Sequence, residues 1–300
     1  MSESHAQPTT DILQRFLFEG SDIRGEQVTL TDSYREVLTN NPAPAAVQQL
    51  LGEMLAAAAL LSSTLKFDGI ITLQAQGDGP VPLMMAECSH HKGLRGIART
   101  PESGEFTLTE DTSLHGLMGK GVLAITIDPD KGERYQGIVP LDHATLAECL
   151  EAYFSQSEQL ATRVWLAADS KRAGGLLVQA LPRQLVSEQT VNEEQWDTVV
   201  ALAHTVKPDE LLYLDHSQLL YLLFNELSVR LFDPQSLRFA CTCSEERSLQ
   251  ALAQLARDEL NKILEEQGHI SIDCQFCNQQ YRFDTAQIDA LFDGPAPTLH

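Results

Sequence analysis

The chain has 300 residues, 43% of them hydrophobic and 21% charged, enough for one large or two modest domains with a hydrophobic core. It has 21 basic and 42 acidic residues and a formal net charge of −21 at pH 7. This charge repels phosphate groups, so we expect neither nucleic acid nor a membrane surface as a partner. The first residues lack a basic segment followed by an apolar one, which predicts no signal peptide and a cytoplasmic protein.

Residues 1–183 mix strand and helix patterns. The alanine- and leucine-rich residues 44–65 predict a long buried helix, and residues 142–157 predict a second helix capped by Asp142. The turn sequences "QGDGP" and "PDKGE" predict antiparallel hairpins. Strands are predicted in "GEQVTLT", "GIITLQAQGDG", "VPLMMAEC", "GLRGIART", "GVLAITIDPDKGERYQGIVPL", "TRVWLAA" and "GGLLVQALP". The fold class predicted for this N-terminal domain is α+β, with a largely antiparallel sheet and packed helices.

In residues 184–240 the mixed strand and helix patterns give way to short helical ones, and this region is predicted to be a helical linker. Three short helical segments, "NEEQWDTVVALAHTV", "PDELLYL" and "DHSQLLYLLFNEL", carry many large apolar side chains. These are Leu211, Leu212, Leu214, Leu219, Leu220, Leu222, Leu223 and Phe224. Such short helices depend on packing against another surface rather than on their own propensity.

Residues 241–300 form the third predicted region, in which two cysteine pairs enclose the helical pattern of residues 247–268. A block of some fifty residues without a long apolar run is too small to fold on a hydrophobic core alone. The pairs are Cys241 and Cys243, and Cys274 and Cys277. Four thiolates on short turns are a common ligand set for zinc, so we predict a C-terminal domain with one Zn²⁺ per chain. His269 is expected to be an ordinary loop residue.

The first pair is CxC, a tighter chelate than the usual CxxC. Zinc would hold the sulfurs as thiolates, the nucleophilic and oxidisable form, and each cysteine would have a neighbour able to form a disulfide. Because metal binding stabilises such small domains, oxidation with metal loss would unfold the block. The spacing leaves two alternatives open, a permanent structural zinc site and a redox switch.

The sequence resembles the heat-shock protein 33 family of redox-regulated holdase chaperones over nearly its whole length. The similar segments are "RFLFEGSDIRGE", "LLSSTLKFDG", "QGDGP", "GERYQGIVPL", "SEQLATR", "AGGLLVQALP" and the CxC and CxxC pairs. The resemblance implies an ATP-independent chaperone of the oxidative stress response that binds unfolding client proteins, with a homodimer expected after oxidation. It implies zinc on Cys241, Cys243, Cys274 and Cys277 when reduced. On oxidation it implies Cys241–Cys243 and Cys274–Cys277 disulfides, loss of zinc and unfolding of the linker. Cys88 and Cys149 match no part of this motif.

Other motifs are weaker. "GLMGKG" does not have the spacing of a phosphate-binding loop, and "CSHH" is more typical of a polar loop than of a metal site. We identify no catalytic residues and expect the protein not to be an enzyme. The alternative functions are a thiol-disulfide oxidoreductase and a constitutive zinc-stabilised adaptor.

Overall fold

A computed structural model describes residues 11–64, 68–100, 111–182 and 189–293. In this part of the chain the strands are β1 Ile12–Phe18, β2 Ile23–Leu30, β3 Gly69–Gly77, β4 Leu83–Ser89, β5 Gly93–Arg99, β6 Gly121–Pro129, β7 Tyr135–Pro140, β8 Thr162–Ala168, β9 Ala173–Ala180, β10 Val229–Leu231, β11 Gln235–Ser236, β12 Arg238–Phe239, β13 Ile270–Asp273 and β14 Gln280–Phe283. The helices are α1 Asp32–Asn40, α2 Ala45–Ser62, α3 Leu114–Met118, α4 Leu146–Tyr153, α5 Gln189–Ala203, α6 Pro208–Tyr213, α7 His216–Phe224, α8 Glu245–Leu252, α9 Arg257–Gln267 and α10 Thr285–Asp293. A π-helical turn, Phe154–Glu158, follows α4.

The chain divides between Ala240 and Cys241 into two compact units. In the described residues of the first unit the strands form two six-stranded sheets. Sheet A has the order β10-β1-β2-β9-β8, with β11 also paired to β1, and sheet B has the order β12-β5-β4-β3-β6-β7. The β12–β5 pair is parallel and the other strand pairs of these two sheets are antiparallel. The predicted α+β class with a largely antiparallel sheet is confirmed.

Helix α2 forms the centre of the first unit and contacts strands of both sheets. Its residues from Met54 to Leu61 are almost completely buried, because alanine and leucine present apolar surface on every side of the helix. The helix is long and apolar enough to cross a membrane, but 72% of the segment is buried inside the fold. It is therefore a core helix, as the sequence predicts.

The two hairpins predicted from their turn sequences are present as β3–β4 and β6–β7. The predicted cap of the second helix is wrong. The N-cap of α4 is Thr145, not Asp142: the Thr145 hydroxyl accepts a hydrogen bond from Glu148 N, and the Glu148 carboxylate accepts one from Thr145 N. This reciprocal pair satisfies amides at the start of the helix, which begins three residues later than predicted.

The helices α5, α6 and α7, hereafter the linker helices, pack on one face of sheet A. The sheet contributes the apolar side chains of Phe16, Phe18, Leu176 and Val178 to this contact. Phe16 occupies the space over Gly25, where a Cβ atom would collide with its ring, so a larger residue at that position would displace it. The linker helices contribute Val199, Ala203, Leu211, Leu212, Leu219, Leu220, Leu223 and Phe224.

The second unit has a small apolar core of its own. Its hairpin β13–β14 is antiparallel, with Asp273 opposite Gln280. The buried side chains are Leu252, Leu260, Leu264, Ile270, Phe283 and Ile288. The single helical pattern predicted over residues 247–268 is in fact two helices, α8 and α9. The division lets Leu252 in α8 and Leu260 and Leu264 in α9 enter one core.

Candidate metal and redox centre

The first cysteine pair lies in the extended segment directly before α8. Ser244 is the N-cap of this helix, and its hydroxyl accepts a hydrogen bond from Arg247 N at 3.2 Å. The Arg247 guanidinium donates to the carbonyl oxygen of Thr242, the residue between the two cysteines, at 2.8 Å. The segment is therefore fixed on both sides of Cys243, at the positive end of the helix dipole, which favours a thiolate.

The second pair lies in the turn that joins β13 to β14. Cys274 N donates to Gln279 O at 2.9 Å, and Asn278 N donates to Cys274 O at 2.7 Å. Asn278 adopts a left-handed conformation with φ of 57°, which asparagine tolerates better than most residues. These bonds close a tight loop in which Cys274 and Cys277 can act as a chelating pair.

The structure brings the four predicted cysteines together, and each is half-buried. Their sulfur atoms all lie within 4.8 Å of one another. Between the two pairs, Cys241 Sγ lies 3.6 Å from Cys274 Sγ and Cys243 Sγ lies 3.4 Å from Cys277 Sγ. No disulfide joins any of the six cysteines.

The donor set fits a tetrahedral metal site. Zinc–sulfur bonds of about 2.3 Å in tetrahedral geometry separate the sulfurs by about 3.8 Å, close to the distances between the pairs. Four thiolates complete that coordination, so a bound ion would have no open position for water. His269 is not part of the cluster, and its Nδ1 lies 3.0 Å from Gln267 O.

Three of the thiols have shifted pKa values, and the shifts differ in direction. Burial raises the pKa of Cys241 and of Cys277. Burial also acts to raise the pKa of Cys243, but hydrogen bonds from Tyr281 and the other three cysteines outweigh it and lower that pKa to about 7. In the metal-free chain, Cys243 is thus more readily ionised than an ordinary thiol.

Tyr281 is a residue of the site that the sequence did not identify. It lies in β14 opposite Ile272, and its hydroxyl donates a hydrogen bond to Cys243 Sγ at 3.2 Å. This bond raises the pKa of the tyrosine to about 12, so the hydroxyl stays protonated at neutral pH. In the sequence, the position of this tyrosine four residues after the CxxC pair was the feature that could have indicated its role.

The remaining cysteines lie in the core of the first unit. Cys88 and Cys149 are completely buried. Burial raises the pKa of Cys88 to about 11 and also raises that of Cys149, as is typical of unreactive structural thiols. In the "CSHH" segment, His90 Nδ1 accepts a hydrogen bond from Gly69 N, and the segment joins no metal-type cluster among the described residues.

Comparison with known proteins gives a consistent result. A family model described as Hsp33 protein matches residues 11–284. The chain belongs to the Hsp33 family. It is 52% identical over 296 residues to the 33 kDa chaperonin of Ectopseudomonas mendocina, covering 97% of this chain and 99% of that relative. It is 50% identical over 297 residues to the 33 kDa chaperonin of Pseudomonas aeruginosa, covering 97% of this chain and 99% of that relative.

A solved structure shares the fold. It is the crystal structure of the 33 kDa chaperonin (heat shock protein 33 homolog) from Thermotoga maritima, with a TM-score of 0.77 and 22% identity. The match covers 93% of this chain and 97% of that one. The family resemblance drawn from the sequence is confirmed, and the names of the relatives support a chaperone function.

Proposed function

We propose that the protein is a redox-regulated, ATP-independent holdase of the cytoplasm that binds unfolding proteins during oxidative stress. The observation that carries this proposal is the cluster of four thiols, all within 4.8 Å, in a separate compact unit. Nothing in this cluster resembles a binding site for a nucleotide or a small substrate. Its chemistry is that of metal binding and thiol oxidation.

In the reduced state we assign one Zn²⁺ to Cys241, Cys243, Cys274 and Cys277. When bound, zinc supplies positive charge that keeps the four sulfurs as thiolates and joins the segment before α8 to the β13–β14 turn. Among the described residues of the second unit, six apolar side chains are buried in its core, a number small enough that this cross-link would provide much of its stability.

On oxidation, we propose that the sulfurs form the Cys241–Cys243 and Cys274–Cys277 disulfides and release the metal. The second unit then loses the link between its two halves and unfolds. We propose that residues 184–240 then detach and present apolar surface to client proteins. We also propose that two oxidised chains associate. The apolar faces of the linker helices, now packed on sheet A, are suited to this role because they are large and contiguous.

A thiol-disulfide oxidoreductase is the alternative that the sequence left open. Enzymes of the thioredoxin type place CxxC at a helix N-terminus in a strand-helix context. Here the CxxC pair lies in the turn between two strands, with the other two thiols beside it. This arrangement favours the metal-binding switch over dithiol exchange catalysis.

The test is suppression of aggregation of a thermally unfolding client enzyme by three samples of the full chain. These are the reduced zinc-loaded protein, the protein oxidised with hydrogen peroxide under mild heating, and the oxidised protein reduced again with dithiothreitol. We expect suppression only by the oxidised sample. Equal suppression by reduced and oxidised protein would refute redox regulation, and insulin reduction at an enzyme-like rate would support the oxidoreductase.

A further inference from the structure

The hydroxyl of Tyr281, which is outside the cysteine set, donates a hydrogen bond to Cys243. It lies 3.2 Å from Cys243 Sγ, within the range of a hydrogen bond to sulfur. The tyrosine reaches this sulfur from β14, while Cys243 precedes α8. The contact therefore connects the two halves of the thiol cluster through a group that is not itself a metal ligand.

The ring and the hydroxyl of Tyr281 have separate surroundings. The ring is partly buried and packs against the small apolar core that includes Ile270 and Phe283. The hydroxyl contacts the Cys243 sulfur. Replacing tyrosine by phenylalanine keeps the packing and removes only the hydrogen bond, so the two contributions can be measured separately.

We propose that Tyr281 is a positioning residue that sets how tightly Cys243 holds the metal and how readily it is oxidised. This inference rests on the proposed function, because it concerns the zinc-bound thiolate. A hydrogen bond donated to a thiolate withdraws negative charge from sulfur and makes it a weaker nucleophile. Groups that hydrogen-bond to metal ligands also orient them, and their loss typically lowers metal affinity by about 10- to 100-fold.

The reaction affected is the two-electron oxidation of a thiolate by a hydroperoxide. The Cys243 thiolate attacks one oxygen of hydrogen peroxide, the O–O bond breaks, and the sulfenic acid and hydroxide form. The Cys241 thiolate then attacks the sulfenic sulfur, which forms the S–S bond and expels a second hydroxide. Two thiolates are oxidised, and the two hydroxide ions formed from one peroxide each take a proton from the solvent to give water. A metal held by these sulfurs would lose two of its ligands. The Tyr281 hydroxyl slows the first step because its hydrogen bond withdraws negative charge from the attacking sulfur.

The experiment compares the reduced, zinc-loaded wild-type chain with Tyr281→Phe and with Tyr221→Phe. Tyr221 is 74% exposed and provides a control for loss of a tyrosine hydroxyl away from the cluster. Zinc affinity is measured by competition with a chelator, and zinc release under hydrogen peroxide is followed with a chromogenic chelator. The absorption of the cobalt(II)-substituted chains reports charge transfer from sulfur to metal, and hydrogen exchange of β13 and β14 reports the fold.

For Tyr281→Phe we expect zinc affinity about 10-fold lower and release by peroxide about 10-fold faster. The sulfur-to-cobalt band should move to lower energy, because the thiolate becomes a stronger donor, and hydrogen exchange should not change. Tyr221→Phe should match the wild type. Equal release rates and spectra in wild type and Tyr281→Phe would overturn the role of Tyr281 alone, whereas a wild-type chain without zinc would overturn both this role and the proposed metal site.

Discussion

The ring of Phe224 in α7 packs edge-on against the ring of Phe18 in β1, with the centroids 4.9 Å apart and the planes at 89°. Phe16 lies beside both rings, 5.6 Å from Phe18 and 6.3 Å from Phe224. This aromatic group joins the last linker helix to sheet A. It makes the apolar surface of α7 part of the folded core rather than a surface available to other proteins.

Leu223 lies next to Phe224 in α7 and is 5% exposed, whereas its neighbour Leu222 is 50% exposed. Truncating a buried leucine costs about 2–5 kcal/mol, and introducing a polar amide adds to this cost. We expect Leu223→Gln to detach the linker helices and to suppress client aggregation in reducing buffer while zinc remains bound. Leu222→Gln is the matched control and should behave as the wild type. Hydrogen exchange that shows α7 open without any suppression of aggregation would disprove this role for the linker.

Gln27 lies in β2 opposite Gln14 and Leu176, on the face of sheet A that carries the linker helices. It is fully buried, and its side-chain amide has no hydrogen-bond partner among the described residues. A buried amide without a partner costs about 1–3 kcal/mol. Gln27→Met should therefore stabilise the packed linker by about 1 kcal/mol, measured by urea unfolding, and should weaken activation by oxidant.

Gln179 provides the matched control for this substitution. It is also buried, but its side chain accepts hydrogen bonds from Arg24 and donates one to Thr162. Gln179→Met removes these bonds and should destabilise the protein. Equal destabilisation by both substitutions would show that the Gln27 amide does have a partner, such as an ordered water.

Local sequence patterns predicted most strands and helices of the first unit because they depend on near neighbours. The alternation in β3 and the turn at "QGDGP" are examples. Strand β12 was not predicted because its two residues become a strand only by pairing with β5, more than 130 residues earlier. The division between α8 and α9 was also missed, because no glycine or proline marks it and the cause is the packing of both helices into one core.

The cysteine spacing was sufficient to predict which four thiols converge. It could not predict which sulfurs of the two pairs contact each other, because that depends on how the β13–β14 turn meets the segment before α8. The hydrogen bond from Tyr281 was equally inaccessible, since it joins residues 38 positions apart. Spacing therefore indicates which thiols come together, and tertiary packing decides what surrounds them.

Substitution of a single ligand tests the metal site. Cys243→Ser should lower bound zinc from about one ion per chain to a small fraction, because an alcohol is a poor replacement for a thiolate ligand. The second unit should then lose hydrogen-exchange protection. Zinc is measured by elemental analysis after dialysis, with Cys149→Ser as the control because Cys149 is buried in the first unit. Retention of zinc at wild-type affinity by Cys243→Ser would count against the site.

The pairing of the oxidised cysteines is a separate prediction. In the folded structure Cys241 Sγ lies 3.6 Å from Cys274 Sγ and Cys243 Sγ lies 3.4 Å from Cys277 Sγ, so disulfides between the two pairs are also within reach. After metal loss and unfolding, however, partners one or two residues apart meet far more often than partners some thirty residues apart. We therefore expect Cys241–Cys243 and Cys274–Cys277. Peptide mapping that found mainly Cys241–Cys274 and Cys243–Cys277 would show that oxidation precedes unfolding.

The final prediction concerns pH and the first residue of α7. His216 is 8% exposed, and its ring nitrogens lie 3.1 Å from Thr29 Oγ1 and 3.1 Å from Gln14 Oε1. Burial lowers the pKa of His216 to about 4, and the neighbouring charge of Asp215 opposes that shift. His216 lines a cavity of about 460 Å³, and Arg172 and Tyr213 line it as well. The histidine is thus neutral where the linker packs on sheet A.

In the unfolded linker His216 has its ordinary pKa of about 6.5. Between pH 6.5 and 4 the unfolded state binds a proton that the packed state does not, so stability falls as the pH falls. A difference of about 2.5 pKa units corresponds to about 3 kcal/mol, lost by pH 4 and constant below it. Burial raises the pKa of Glu26 and of Glu53 to about 7, which acts in the opposite direction by reducing stability as the pH rises from about 4.5 to 7.

These opposed effects mean that the wild-type curve alone cannot isolate the histidine, so the measurement is a difference. His216→Gln keeps a polar side chain that can bond to Thr29 and Gln14 but cannot titrate. We expect the free energy of unfolding of the wild type relative to this variant to be constant above pH 7 and to decrease by about 3 kcal/mol on lowering the pH to 4. Urea unfolding at matched ionic strength provides the values. A difference that stays constant from pH 7 to 4 would mean that His216 titrates identically in the packed and unfolded linker, and that its burial against sheet A has no electrostatic cost.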